Sequence, residues 1–353
     1  MTKTNELKSS CETGIAERPF LKGSVIPRSE LGSALMGIVT TIPMGVVATA
    51  LAVYGFELYG LVLFCLLPFS IGVSSTLLYG FHEPRSLWRS LLVSQLAIFM
   101  VGAAIFLLAM EGLICLIMAA PIAMGLAGIG GGVGWVVAKR YFGTRIRTAT
   151  LVALLVGVPA LMGFEDATYA EPDWITVTTE VFVDAPQEKV WEHLVDAAAL
   201  ESSEDTLFRR GVAHPTYLEV EGNGPGARLR GEFNTGAFEV VFDEWDAPHR
   251  LGLSVAEHPP TMQEWSIYGE IDAPHLVDYF ACEEGEIELH ATEAGGTKLV
   301  GTTLCRQQIG PAWYWTQWSE NVIDRLHRHV LDDVRRRAEA AQSGVPSVAA
   351  SET

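Results

Sequence analysis

GLICLIMAAPIAMGLAGIGGGVGWVVA, residues 112–138, runs for 27 residues without one charge. As a helix rising 1.5 Å per residue it would cover about 40 Å, more than the roughly 30 Å of a bilayer's hydrocarbon core. A water-soluble helix keeps a polar face, and this stretch has none. Four more uncharged apolar runs surround it, at 31–56, 58–81, 90–110 and 148–164. The last holds 17 residues, at the lower limit for a span. The expectation is an α-helical membrane region of five transmembrane helices over 31–164. The first run is longer than a signal-peptide core and lies behind a polar stretch, so it reads as a retained span.

Working outward, the basic residues fall on alternate sides of these runs. Lys3, Lys8, Arg18, Lys22 and Arg28 precede the first, Arg85 and Arg89 lie between the second and third, and Lys139, Arg140, Arg145 and Arg147 follow the fourth. The links at Glu57 and Glu111 carry no base, and Glu165, Asp166, Glu171 and Asp173 follow the fifth run. Basic loops stay in the cytoplasm. The sequence therefore predicts a cytoplasmic N-terminus, an extracytoplasmic C-terminal half and a multi-pass location in the cell membrane. The links at 57 and 111 are short enough to make tight helical hairpins. Residues 1–30 and 340–353 lack apolar periodicity and read as disordered tails.

The chain has 42 acidic and 24 basic residues, a net charge of −18, and 35 of the acids lie after residue 164. Nucleic-acid binding needs Lys and Arg against phosphate, so that function class is excluded for the acidic half. Gly128/Gly132 and Gly130/Gly134 have the small-xxx-small spacing that lets helices pack closely, and Gly128 and Gly132 are candidate helix–helix contacts. Pro43, Pro68, Pro121 and Pro159 should kink their spans. Every Asp, Glu, Lys and Arg of the membrane half falls at a run boundary, which argues against ion-coupled transport by this half alone. That leaves an anchor or a platform, and an anchor does not need five spans.

After a linker at 165–173 the pattern changes. ITVTTEVFVDA (175–185) alternates apolar and polar, the mark of a strand. Pro186 then opens a helix over QEKVWEHLVD, with Val190, Trp191, Leu194 and Val195 on one stripe. Alternation returns at 226–233, 237–245 and 250–255, and 285–291 with 297–306 reads as a hairpin around Ala294-Gly295-Gly296. A long helix occupies 311–339, its inner stripe read as Trp315, Trp318, Val322, Leu326, His329 and Val330. The apolar sheet face must be covered, and this helix is the only element long enough. The fold class predicted for 174–339 is therefore α+β, a curved antiparallel sheet gripping a long C-terminal helix.

VDAPQEKVWEHLVD (183–196), the GNGPGARLRGEF stretch, the antiparallel meander and the Trp-rich terminal helix together resemble the START-like, or SRPBCC, superfamily. This is the helix-grip fold of polyketide cyclases/dehydrases and lipid-transport domains. The resemblance covers about 174–338. It implies a cavity for a hydrophobic ligand and does not by itself imply catalysis. The five spans lie outside the superfamily pattern, which argues against a freely diffusing lipid shuttle.

By strand alternation the inward positions are Leu229, Phe233, Phe238, Val240, Phe242, Leu253, Leu289, Leu299, Thr303 and, on the helix, Trp318. These are the candidate ligand-binding residues; the alternative is that they simply build the core. For an acid or base inside the cavity the candidates are His290, Arg306, Arg325 and His329. Strand parity turns His290 and Arg306 outward, leaving Arg325 and His329, for which surface or capping roles are the plainer reading. No residue is assigned as catalytic. His327 and His329 lie about 200° apart on a helix and cannot chelate together, so no metal site is expected, and no motif calls for a cofactor. The segment 256–280 reads as a long loop, either a lid over a cavity or a means for Trp265, Ile267 and Tyr268 to enter the bilayer interface. By the same parity Cys282 and Cys305 point to opposite faces, which argues against a disulfide unless a bulge near 283–285 shifts the register.

Three functions fit these observations. The favoured one is an integral membrane protein whose domain binds a hydrophobic small molecule or lipid. The second is an enzyme of the cyclase/dehydrase type on a membrane-derived substrate. The third is a membrane sensor or assembly protein with a structural domain. A buried acid/base pair in a closed cavity favours the enzyme, a deep apolar cavity the binder, and a cavity filled by its own side chains the third.

Overall fold

The computed structural model describes residues 26–140, 144–168, 172–200, 203–271 and 279–343. The expected N-terminal tail falls almost wholly outside these residues, as do 344–353 and part of the 165–173 linker.

Five helices are long and apolar enough to cross a membrane. Helix α1 (Glu30–Ala50) starts where the Ser29 side chain accepts from Gly32 N, and ends in a π-helical turn at Leu51–Gly55. A second π-turn, Val62–Leu66, leads into α2 (Leu67–Tyr79). Then come α3 (Leu87–Leu107), α4 (Leu113–Arg140) and α5 (Thr144–Ala167). The second span is the centre of the bundle, with 72% of its apolar stretch buried against 17% for the fourth and fifth. Large apolar side chains such as Val39, Leu96, Phe99, Ile129 and Val156 are exposed on the outside of the bundle.

Glycine placement explains how tightly α2 meets α4. A Cβ added to Gly72 would lie 2.1 Å from the Ala127 carbonyl oxygen, and one on Gly130 would lie 2.1 Å from that of Phe69. Of the two spaced pairs in the sequence, Gly130/Gly134 therefore lies in this contact. Gly132 has nothing within 4 Å of such a Cβ, and Gly128 meets only the Gln95 side chain at 3.2 Å.

The C-terminal half is an antiparallel sheet domain closed by a helix. Its strands are β1 (Asp173–Val183), β2 (Ala198–Ala199), β3 (Pro215–Glu221), β4 (Arg228–Phe233), β5 (Gly236–Asp246) and β6 (Arg250–Glu257). A small hairpin follows, β7 (Glu264–Ser266) with β8 (Gly269–Ile271), then β9 (Phe280–Ala291) and β10 (Thr297–Gln307). Helix α6 (Gln187–Leu194) follows β1, and α7 (Ala312–Ser343) ends the described chain. Eight strands form one sheet in the order β1-β10-β9-β6-β5-β4-β3-β2. Strands β2 and β3 and the β7–β8 hairpin are absent from the sequence reading. β3 carries the weakest alternation, and the hairpin sits inside what reads as a continuous loop.

Two sequence expectations are corrected here. Cys282 and Cys305 form a disulfide. The β9–β10 register pairs odd with odd up to Thr303–Gly285, then slips between Leu304 and Cys305, so that Cys305 faces Cys282. The bulge that parity demanded is real. The buried stripe of α7 is Trp315, Ile323, His327, Leu331, Val334 and Ala338, rotated from the expected one so that Trp318, Leu326, His329 and Val330 are only partly buried. The Trp-rich first turns drew the expected stripe toward a face that meets the membrane helices rather than the sheet.

Candidate functional site

The two halves meet at the ends of the tight hairpins, and each contact has a physical cause. Helix starts carry backbone N–H groups without intrahelical partners. At the start of the second span, Leu61 N and Val62 N donate to the Glu165 carboxylate at 2.5 and 3.0 Å. At the start of α4, Ile114 N and Cys115 N donate to Glu264 of the β7–β8 hairpin at 3.0 and 2.7 Å. Glu264 is 1% exposed. Gly112 permits this approach, since a Cβ there would lie 2.0 Å from Glu264 Oε2. Both hairpin links also hold a non-glycine residue at positive φ, Glu57 at 51° and Ala109 at 50°. The Tyr279 hydroxyl donates to the Glu57 carbonyl at 2.6 Å, and Gly310 N donates to that of Tyr59 at 2.8 Å. Trp265 packs on Phe106, and the Tyr268 hydroxyl donates to the Leu107 carbonyl at 3.1 Å. Trp265, Ile267 and Tyr268 are exposed beside the end of α3.

Above this seam lies a cavity of about 510 Å³. That is within the roughly 300–1,000 Å³ of ordinary ligand sites. One wall comes from the N-terminal helices: Leu63, Phe64 and Ile71 of the second apolar helix, Gly102 and Phe106 of α3, and Leu116 and Ala120 of α4. The other wall is the domain: Phe280, Ile309 and, from the first turns of α7, Trp315, Trp318 and Val322. Phe99, Ile117 and Met124 line it while remaining exposed on the bundle surface, so the cavity reaches the outside of the bundle between α3 and α4.

Its polar groups are few. Glu111, buried, accepts a hydrogen bond from the Tyr59 hydroxyl at 2.8 Å. Burial pushes the Glu111 carboxyl up to about 7; the Tyr59 hydrogen bond opposes this and the negative charge of Glu264 adds to it. Trp315 is 6% exposed, and its indole Nε1 has no hydrogen-bond partner among the described residues. Its ring packs edge-on against Phe64, centroids 4.8 Å apart. None of the described residues lining the cavity is Lys, Arg or His.

Of the ten candidate binding residues, Trp318 lines this cavity. Phe242, Leu289 and Leu299 lie in the domain's own core, where Leu331 and Val334 of α7 reach the sheet, and Leu229 and Leu253 pack against that core. Val240 is fully buried, Phe233 and Phe238 pack as a tilted pair with centroids 5.0 Å apart, and Thr303 hydrogen-bonds the ring of His327 at 2.6 Å. Sequence alternation finds the sheet's inner face but not this cavity, because half of its wall comes from the N-terminal helices. Glu111 was visible only as a loop charge, and its role depends on contacts 52 residues away in sequence.

The acid/base candidates have other partners. Arg325 pairs with Asp205 at 2.5 Å, His290 with Glu288 at 3.4 Å and Arg306 with Glu283 at 3.1 Å. His329 lies between Phe208 and His214, and burial lowers its pKa. His327 is buried between sheet and helix, hydrogen-bonded to Thr179 at 3.0 Å as well as to Thr303. Among the described residues no group of three His, Cys, Asp or Glu could hold a metal ion.

No family model matches the chain, and no curated protein does. Solved structures do show likenesses, over the C-terminal half. The Zhui aromatase/cyclase from Streptomyces sp. R1128 is 19% identical, with a TM-score of 0.33 over 48% of this chain and 96% of that one. The di-domain ARO/CYC BexL from the BE-7585A biosynthetic pathway is 17% identical, with a TM-score of 0.32 over 60% and 61%. The norcoclaurine synthase of Thalictrum flavum is 12% identical, with a TM-score of 0.31 over 49% and 99%.

Proposed function

We propose that this chain is an integral membrane protein that binds a hydrophobic ligand or lipid, taken from the bilayer, at the junction of its spans and its C-terminal domain. The observation that carries the reading is the apolar cavity walled by α3 and α4 on one side and α7 on the other, with exposed Phe99, Ile117 and Met124 at its outer edge. A cavity with this lining is poorly suited to water and well suited to a chain of methylenes.

On this reading the domain lies outside the cytoplasm. Supporting this, the links that touch the domain are those without basic residues, and the basic ends lie opposite. The Cys282–Cys305 disulfide suits an oxidising compartment.

Gly102 supplies the test. It lines the cavity, and a Cβ added there meets nothing within 4 Å, so Gly102→Phe fills the space without a backbone clash. Gly132→Phe is the control, in open space away from the cavity. Native mass spectrometry of the solubilised protein should find a retained lipid on the wild type and on Gly132→Phe, and none on Gly102→Phe. Equal retention by all three would remove the cavity from the account.

A second reading, an enzyme acting on a membrane-derived substrate, is favoured by Glu111. A carboxyl titrating at about 7 on the wall of an apolar cavity is suited to general acid/base work. Turnover that Glu111→Gln abolishes while binding persists would establish it.

A further inference from the structure

Resting on the ligand reading above, we infer that the cavity selects a long-chain lipid with a neutral hydroxyl head, and rejects the same chain ending in a carboxylate. Two cavity groups carry this. The Glu111 carboxyl is an acceptor with a second carboxylate, Glu264, behind it, and both are buried. No basic side chain is present among the described lining residues to offset them. An anionic head placed here would face the Glu264 charge out of water and, above about pH 7, the Glu111 charge as well, which costs affinity steeply. The Trp315 indole N–H is the complementary feature. It is a donor, enclosed in the cavity wall, with no partner among the described residues. A buried donor of this kind calls for an acceptor. A hydroxyl is the small neutral group that can both accept from an indole N–H and donate to a carboxyl. A ketone or ether meets only the first need and an ammonium only the second. Tyr59, which bonds Glu111, lies 6.5 Å from Phe64 by ring centroids, and Phe64 lies 4.8 Å from Trp315, so one run of rings along the wall leads from the acceptor to the donor.

The experiment uses the full chain in nanodiscs of zwitterionic lipid, with hexadecanol and hexadecanoate as probes and competition measured by native mass spectrometry. Wild type should bind the alcohol at least about tenfold more tightly than the carboxylate. Glu111→Gln, which keeps the acceptor for Tyr59 but removes the charge, should narrow that ratio at least about threefold, chiefly by admitting the carboxylate. Trp315→Phe, which keeps a ring but removes the N–H, should weaken the alcohol by about three- to tenfold and leave hexadecane unchanged. Equal binding of alcohol and carboxylate by wild type, both competed out by Gly102→Phe, would overturn the head-group inference and leave the cavity reading intact. Should Glu111→Gln fail to fold, the wild-type ratio alone decides. Saturable binding of neither probe would defeat the cavity reading itself.

Discussion

Removing the Glu264 carboxylate should uncouple the domain from the membrane bundle. This side chain joins the β7–β8 hairpin to the first turn of α4 through two N–H donors, Ile114 and Cys115. Hydrogen bonds to a charged group are worth about 1.5–3 kcal/mol each, and a carboxylate at a helix start gains further from the helix dipole. Some of this returns when water reaches the freed N–H groups, so the net loss for Glu264→Ala is on the order of 3 kcal/mol. That corresponds to a rise in local opening of about 150-fold. Glu264→Gln keeps one good acceptor and should lose about half as much free energy. Gly112→Ala approaches the same contact from the other side, because its Cβ would lie 2.0 Å from Glu264 Oε2. The assay is hydrogen exchange of the full chain in nanodiscs, comparing peptides over 108–118 and 262–271 with the centre of α2. Both junction peptides should exchange faster in Glu264→Ala and Gly112→Ala, with α2 unchanged. Junction protection equal to wild type would refute the claim that this carboxylate holds the halves together.

Three further outcomes are expected. A reporter active only in the cytoplasm should work when fused after residue 144 and stay silent when fused after 340; activity at both sites would reverse the sidedness. Gly134→Leu should lower the yield of folded protein, since a Cβ there would lie 2.0 Å from Thr76 Oγ1, whereas Gly132→Leu should be tolerated; equal yields would mean that α2 and α4 do not meet at these glycines. Burial, opposed by the Asp324 charge, holds the His327 pKa down to about 4 from an ordinary value near 6.5. A base with a depressed folded pKa contributes fully above 6.5 and loses that contribution as pH falls toward 4, on the order of 3 kcal/mol in total. Thermal unfolding of the full chain should therefore drop between about pH 7 and pH 5, and His327→Asn should flatten the drop; parallel curves would show that His327 is not the titrating group.

The spans and most strands are legible in the sequence because each depends on a local period. A run of 27 uncharged residues needs no partner to be recognised, and ITVTTEVFV carries its own alternation. The sheet's buried face follows from the same parity, and Val181, Phe242, Leu289 and Leu299 meet in one core. What is not legible depends on docking. The α7 stripe is misread because Trp315 and Trp318 serve a second surface, the cavity wall shared with the N-terminal helices, rather than the sheet. Glu57, Glu111 and Glu165 read as outward loop charges, whereas Glu111 and Glu165 bond groups 52 and more than 100 residues away. The disulfide turns on a single-residue slip in register, which side-chain patterning cannot reveal.

The number of spans, excessive for an anchor, has a reason in the cavity. A single helix could tether the domain but could not wall a space beside it. Here α3 and α4 supply one wall, and the second span supplies the floor at Leu63, Phe64 and Ile71. The second span is in turn held by α4 through Gly72 and Gly130, so the wall and floor are one packed unit. The fifth span carries Glu165 in its last turn, and this carboxylate caps the start of the second, which ties the last helix before the domain to the floor. Each span thus either borders the cavity or fixes one that does; α1 contributes Thr49 to the lining and packs on the second span through Ile38. In the same way α7 is long because it has two tasks. Leu331, Val334 and Ala338 close the sheet, while Trp315, Trp318 and Val322 extend beyond it to the membrane helices. On the proposed reading, ligand recognition is a property of the junction, and neither half carries it alone.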